Sequence, residues 1–425
     1  MKQALAAVLA FALISVLASH AYYGSPLHRD LLASWRAAEL LGENGLPLAG
    51  LNSGEASSRY PPAFSIFLVQ ASLLCGIGLP LATDLLAYVC AALLVLSAFV
   101  FARNCLGDEN AAAVAAFLCA CSPWFFYRMA YPIAESLGLS LFLLSVAAVS
   151  QRRQALATFI LLALPFVHFR SAAVAFACVL ALSALRRDWK LAMPALPGML
   201  AYAVAAPLAA TGFSNPWIEP VAPLLIIGIP LAVLSACFAG EFILRRQELP
   251  LPVAAVLLAC IATAFLAPFP ERQLLYAAPA LAVLAAAFLL RHSKLVVPAM
   301  PVATAFLLLA VWYRSPAWGP ADSAGFFALE NFGGATVLAS LPDSYAVTWF
   351  SKKSTVAGPY LEELADGRQR AQQSFDYFNG GNTSAGEALV RQYRPDLIIR
   401  RKDLVPGASF GARVFDGPSF SAFRP

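Results

Sequence analysis

Long apolar runs dominate this sequence and leave it little choice of environment. They cover, with approximate edges, 3–22, 82–102, 111–129, 134–150, 155–169, 171–186, 191–211, 221–244, 251–268, 273–290 and 295–313, with a further run at 61–80. Many approach the roughly 20 residues that cross the hydrocarbon layer of a bilayer. Of the 425 residues, 60% are hydrophobic and 12% charged, and the mean hydropathy is +0.70. Soluble domains carry about 25% charged residues, so this apolar excess has to face lipid rather than fill one core. The fold class expected is a polytopic α-helical membrane protein with about eleven transmembrane helices and a small C-terminal extracytoplasmic α/β domain.

Basic residues set the topology, because Lys and Arg of short loops stay cytoplasmic. If 61–80 lies along the surface without crossing, then Lys2, Arg103, Arg152, Arg153, Arg186, Arg187, Lys190, Arg245, Arg246, Arg291 and Lys294 share one side. The opposite short segments hold Arg29, Arg36, Arg59, Arg128, Arg170 and Arg272, singly spaced. A crossing at 61–80 would scatter the basic clusters, so the regular arrangement is preferred. It puts the N-terminus in the cytoplasm and the chain from about 314 outside. Residues 3–22 lack a clear small-residue cleavage site and read as a retained first helix. The net charge of +5 comes from these helix-end residues, which removes the case for nucleic acid. Eight cysteines sit in or beside apolar runs in no CxxC or Cys/His metal spacing, and read as small buried hydrophobes.

Two domains are expected: 1–313, a transmembrane domain whose first outer loop, 23–80, carries surface helices, and 314–425 outside the membrane. In that loop 27–41 reads as an amphipathic helix with Leu31, Leu32, Trp35, Ala38 and Leu41 on one side, stopped by Gly42 and Gly45. Asp30, after His28 and Arg29, falls in its first turn. Glu135 opens an apolar helix after Tyr131 and Pro132. His168 and Arg170 occupy a turn of almost no length between two spans, and Glu271 and Arg272 another turn. Each has a plain structural reading: dipole complementation for Asp30 and Glu135, snorkelling for His168 and Arg170, mutual pairing for Glu271 and Arg272. Together they put carboxylates, a histidine and arginines at the level of a lipid headgroup. Arginine suits phosphate through bidentate charged hydrogen bonds, and a carboxylate can take a proton from an attacking hydroxyl.

Four short motifs then resemble one family. They are His28-Arg29-Asp30 with the following Arg59-Tyr60-Pro61-Pro62, Tyr131-Pro132-Ile133-Ala134-Glu135-Ser136, His168-Phe169-Arg170-Ser171, and Glu271-Arg272-Gln273-Leu274-Leu275-Tyr276-Ala277-Ala278-Pro279. In order and spacing across 1–313 they resemble the GT-C membrane glycosyltransferases, in the branch of protein O-mannosyltransferases and lipid A aminoarabinose transferases. The resemblance implies a polyprenyl-phosphate-sugar donor, a glycan, lipid or protein acceptor, and reaction at the extracytoplasmic face. It aligns Asp30 with the catalytic acid and Glu135 with the second-loop acid. It makes Arg59, Arg170 and Arg272 candidates for the leaving phosphate, with His28, Tyr60, His168 and Glu271 beside the substrate. The sequence departs from the family where Leu31 replaces a second acid and Ser171 the usual proline, which leaves the base and any divalent-metal requirement open.

The tail reads as a small α/β domain: strands at 334–341, 345–350 and 397–400, helices at 361–378 and 385–393, and a hairpin of 412–415 with 419–423 around Asp416-Gly417. The alanine-rich, lysine-poor composition fits a bacterial inner membrane. Three other functions compete: an O-antigen ligase or polymerase, which would carry a large late outer loop; a transporter, which would place charges or broken helices at midplane; and an inactive scaffold with the same fold.

Overall fold

The computed structural model describes residues 2–23, 29–44, 62–205, 228–245, 249–266, 273–312, 320–358, 366–379, 382–402, 411–417 and 419–425. The described residues of its membrane-type part are mostly helical. In chain order the helices are α1 (Lys2–Tyr23), α2 (Arg29–Asn44), α3 (Ala63–Cys75), α4 (Leu79–Leu106), α5 (Glu109–Ala120), α6 (Pro123–Ala130), α7 (Ala134–Ser150), α8 (Gln154–Val167), α9 (Phe169–Arg186), α10 (Ala195–Ala205), α11 (Ile229–Arg245), α12 (Leu251–Leu266), α13 (Gln273–Arg291) and α14 (Val296–Trp312).

Among the described residues three helices are long and apolar enough to cross a bilayer: Gln3–Ala21, Leu79–Leu106 and Phe169–Arg186. Two bent pairs, α5 with α6 at 80° and Leu275–Arg291 with Ser293–Leu309 at 113°, raise that to five when each pair counts as one span. Length and composition thus account for three to five of the roughly eleven crossings expected from the apolar runs. The other apolar helices are 10–17 residues long. The expected single run 111–129 is among those the structure breaks: Ser122 and Pro123 start a new helix, with proline at a position that needs no N–H.

The run 61–80 is a 13-residue helix. Gly76, at φ +62°, closes it, with the Gly76 and Ile77 N–H groups bonding back to Leu73 and Ser72 carbonyls. At 13 residues helix α3 is shorter than the roughly 20 that cross a bilayer. The amphipathic helix of the first loop forms as α2 but runs through Gly42 to Asn44 rather than stopping at Gly42.

Turns that the basic residues assign to one side do meet. Arg152 pairs with Asp188 at 3.0 Å, and Arg186 donates to the Ser150 carbonyl at 2.9 Å. Glu241, an acid inside an apolar run, accepts from His292 at 2.7 Å and faces Arg291 at 3.7 Å.

In the tail, α15 (Pro320–Ala328) precedes β1 (Thr336–Leu338), α16 (Leu341–Phe350), β2 (Ser354–Thr355), α17 (Gly367–Phe378), α18 (Thr383–Tyr393), β3 (Leu397–Arg401), β4 (Ala412–Asp416) and β5 (Phe420–Arg424). The sheet order is β2-β1-β3-β5-β4, parallel among the first three and antiparallel at the β3–β5 and β5–β4 pairings. The closing hairpin forms as expected. The strand expected at 345–350 does not; those residues belong to α16. Ser340 caps that helix by accepting from the Asp343 N–H, and Pro342 sits in its first turn. This start signal outweighs the β-preference of Tyr345, Val347, Thr348 and Trp349.

Alternation along the strands divides the tail's core in two. Leu338 and Ile398 face Tyr377, Phe378 and Leu389 of α17 and α18. Val337, Leu397, Ile399, Phe420 and Ala422 face the other way, into a cluster shared with Leu32, Trp35 and Ala38 of α2, Phe64 and Leu68 of α3 and Ala134 of α7. The first loop and the tail therefore bury each other's apolar faces.

Candidate functional site

Helix α6, bent 80° from α5, carries Arg128 beneath the mouth of α7. There Glu135 lies in the first turn, where the helix dipole favours a carboxylate. Arg128 Nη2 stands 2.6 Å from Glu135 Oε2, and the two side chains are 3% and 2% exposed. The other oxygen, Oε1, accepts from the Tyr276 hydroxyl at 3.2 Å and lies 3.9 Å from Arg170 Nη1. Tyr276, at the start of α13, is wholly buried. Its hydroxyl is also 2.9 Å from Ser171 Oγ, which is 2.9 Å from His168 Nδ1. His168 Nδ1 also accepts from the Ser171 N–H at 3.3 Å.

Gly138 makes this convergence possible. A Cβ there would meet Ser171 Oγ and stand 2.9 Å from His168 Cβ, so a side chain would push α7 away from the start of α9. Ser171 thus takes part in the cluster, joining His168 to Tyr276.

Among the described residues two guanidiniums lie against one buried carboxylate, a set of three groups with a formal charge of one positive. Arg128 Nε and Nη1 are buried and make no hydrogen bond among the described residues. Buried donors without an acceptor are rare because each carries a desolvation penalty. The Arg128 guanidinium is flanked by the Trp124 and Tyr127 rings at 5.6 and 5.9 Å.

A second polar group adjoins the first. His20 Nε2 donates to the Ala130 carbonyl at 2.7 Å, its Nδ1 is 3.7 Å from Asp84 Oδ1, and Ser19 Oγ is 3.2 Å from the Tyr131 hydroxyl. The Tyr131 ring packs on Tyr127 at 5.0 Å, beside Arg128. The ends of α1 and α4 are thereby tied to the α6–α7 turn.

Of the residues singled out in the sequence, the structure brings Glu135, His168 and Arg170 together. Asp30 is placed by its backbone in the first turn of α2; its side chain, with His28, Arg59, Tyr60, Glu271 and Arg272, lies outside the described residues. Arg128 and Tyr276 are the members that sequence reading missed. Arg128 looked like an isolated interfacial arginine, whereas Tyr276 stood inside a quoted motif with nothing to mark its hydroxyl. Among the described residues no three His, Cys, Asp or Glu side chains converge as a metal site.

No protein-family model and no curated protein sequence matches the chain. Solved structures do. ArnT from Cupriavidus metallidurans, bound to undecaprenyl phosphate, superimposes with a TM-score of 0.63 at 11% identity, over 98% of this chain and 97% of that one. The oligosaccharyltransferase AglB from Archaeoglobus fulgidus, in complex with an inhibitory peptide and a dolichol-phosphate, gives 0.62 at 12% identity over 93% and 69%. The arabinofuranosyltransferase AftD from Mycobacteria gives 0.59 at 14% identity, over all of this chain and 41% of that longer one. The likeness establishes the fold: the helices and the small C-terminal sheet of this chain are arranged as in these three transferases.

Proposed function

We propose that this protein transfers a sugar from a polyprenyl-phosphate-linked donor to an acceptor hydroxyl at the extracytoplasmic face of a bacterial inner membrane. The observation that carries this reading is the buried, net-positive cluster of Arg128, Arg170 and Glu135, in a fold shared with transferases solved with polyprenyl phosphates. The topology that goes with it has a cytoplasmic N-terminus, about eleven crossings with several helices short or bent, and the tail outside.

In this mechanism Asp30 takes the proton of the acceptor hydroxyl as its oxygen attacks the anomeric carbon. The bond from that carbon to the phosphate oxygen breaks, and polyprenyl phosphate leaves as an anion. One displacement at one carbon inverts its configuration. Arg59, Arg170 and Arg272 receive the leaving phosphate, and the two unpaired donors of Arg128 add it to that set. Glu135 acts through the arginines it orients, since one of its oxygens is held by Arg128 and the other by Tyr276. His168 lies beside them, and His28, Tyr60 and Glu271 belong to the loops that border the same region.

The test is transfer by purified protein from a panel of radiolabelled polyprenyl-phosphate sugars, with release of polyprenyl phosphate as the readout. Release with at least one donor, lost in Asp30→Asn with melting unchanged, is the expected result. Absence of release with every donor removes the reading, and full activity of Asp30→Asn removes Asp30 from it.

A further inference from the structure

Helix α2 carries Asp30 in its first turn and Glu39 nine residues on, about 14 Å along the axis. Glu39 does not point to open solvent. Both its oxygens accept from Lys352 Nζ of the tail, at 2.8 and 2.6 Å, and Oε2 also accepts from Arg36 at 2.6 Å. Lys352 Nζ stands 3.9 Å from the centre of the Trp349 ring, within cation–π range. Trp349 packs on Trp35 of α2 at 5.2 Å, and Trp35 Nε1 donates to Thr83 Oγ1 at 2.7 Å, in the first turns of α4. A continuous set of contacts thus runs from the tail through α2 to the bundle.

Lys352 itself has φ +55°, a left-handed conformation that L residues avoid and glycine takes freely. Directly after a helix such a position is one glycine commonly fills. What the lysine adds there is its ammonium, and the ammonium goes to Glu39. An ion pair about a quarter exposed contributes little to stability. It does fix orientation, because α2 is gripped by the tail on its apolar face at Leu32, Trp35 and Ala38 and on its polar edge at Glu39.

We infer that the tail positions α2 for the reaction, with Lys352 and Glu39 as positioning residues that hold the first turn of that helix at the site. This rests on the proposed role of Asp30 and gives the tail a task that needs no acceptor contact. Misplacement by about 1 Å costs on the order of a hundredfold in rate, so loosening one of two grips is expected to lower kcat about tenfold or more.

The experiment uses the full chain in lipid nanodiscs, with Lys352→Gln and Lys352→Arg. Hydrogen exchange of α2 amides is read beside sugar transfer. In Lys352→Gln, α2 exchanges faster, kcat falls and donor KM and melting temperature stay near wild type. Lys352→Arg, which keeps the cation, returns both readouts toward wild type. Unaltered α2 exchange in Lys352→Gln overturns the inference, as does faster exchange with unaltered kcat, or a kcat loss that Lys352→Arg leaves in place. Exchange is read without any donor, so a wild-type protein that transfers no sugar sinks the proposed function and leaves the grip on α2 to be judged by itself.

Discussion

Arg128 and Glu135 are seven residues apart in sequence, lie on two helices, and form an ion pair at 2.6 Å that water hardly reaches. The turn at Tyr131–Ile133 that joins them holds its shape through Ser136 Oγ, which accepts from the Ile133 N–H at 3.1 Å. A charge buried in this way depends on its partner. Arg128→Met leaves Glu135 without its main counter-charge and is expected to cost about 3–5 kcal/mol, read as a large fall in melting temperature. Replacing both, as Arg128→Met with Glu135→Leu, is expected to recover most of that loss, because apolar substitutes for a buried pair are often neutral or better. Transfer does not return in the double variant. A single variant that melts like wild type would show the pair to be no structural anchor.

Gly138 and Gly240 make opposite predictions from the same substitution. Gly138→Ala drives a methyl into Ser171 and His168, with an expected cost of about 1–3 kcal/mol and loss of transfer. Gly240 has nothing within 4 Å of its absent Cβ and lies in α11, so alanine there is expected to gain about 0.5–1 kcal/mol. Thermal unfolding of the two variants side by side checks both signs.

Tyr276→Phe removes one oxygen and keeps the ring, which packs edge-on against Phe142 at 5.7 Å. Glu135 Oε1 then loses its hydroxyl donor and Ser171 Oγ a partner. The expected cost is about 1–3 kcal/mol, with a fall in kcat larger than the fall in stability explains. Ser171→Ala, which leaves the Tyr276–Glu135 bond in place, is expected to do less of each. Equal effects in the two variants would place the important contact at Ser171.

Which of these features the sequence displays depends on the range of the interaction. Apolar periodicity and the placement of arginines are local properties, so α2, α7 and α9 and the meeting of Glu135 with Arg170 are foreseeable from them. Arg128 is not, because an arginine at the end of an apolar run has the pattern of one that reaches for the interface; the bend at Ser122–Pro123 that turns it inward is decided by packing. Tyr345–Phe350 misleads in the other direction, its β-branched and aromatic residues hiding a capped helix start. The contact between Glu39 and Lys352 joins positions 313 residues apart, and no spacing rule reaches that far.

That contact also has a pH dependence with a definite sign. Burial alone would raise the Glu39 carboxyl, and hydrogen bonds from Lys352 and Arg36 outweigh it and hold the group below its ordinary value of 4.5. A carboxyl lowered on folding contributes stability that is fully present above its unfolded value and is lost as pH falls through the folded one. Protection of α2 amides, corrected for the intrinsic pH dependence of exchange, is therefore expected to stay level from neutral pH down to about pH 5 and to drop only in more acidic solution. In Lys352→Gln the drop begins at higher pH, because one of the two donors that lower Glu39 is weakened. Were α2 protection in the wild type to fall between pH 7 and 5, some group other than Glu39 would be holding the helix.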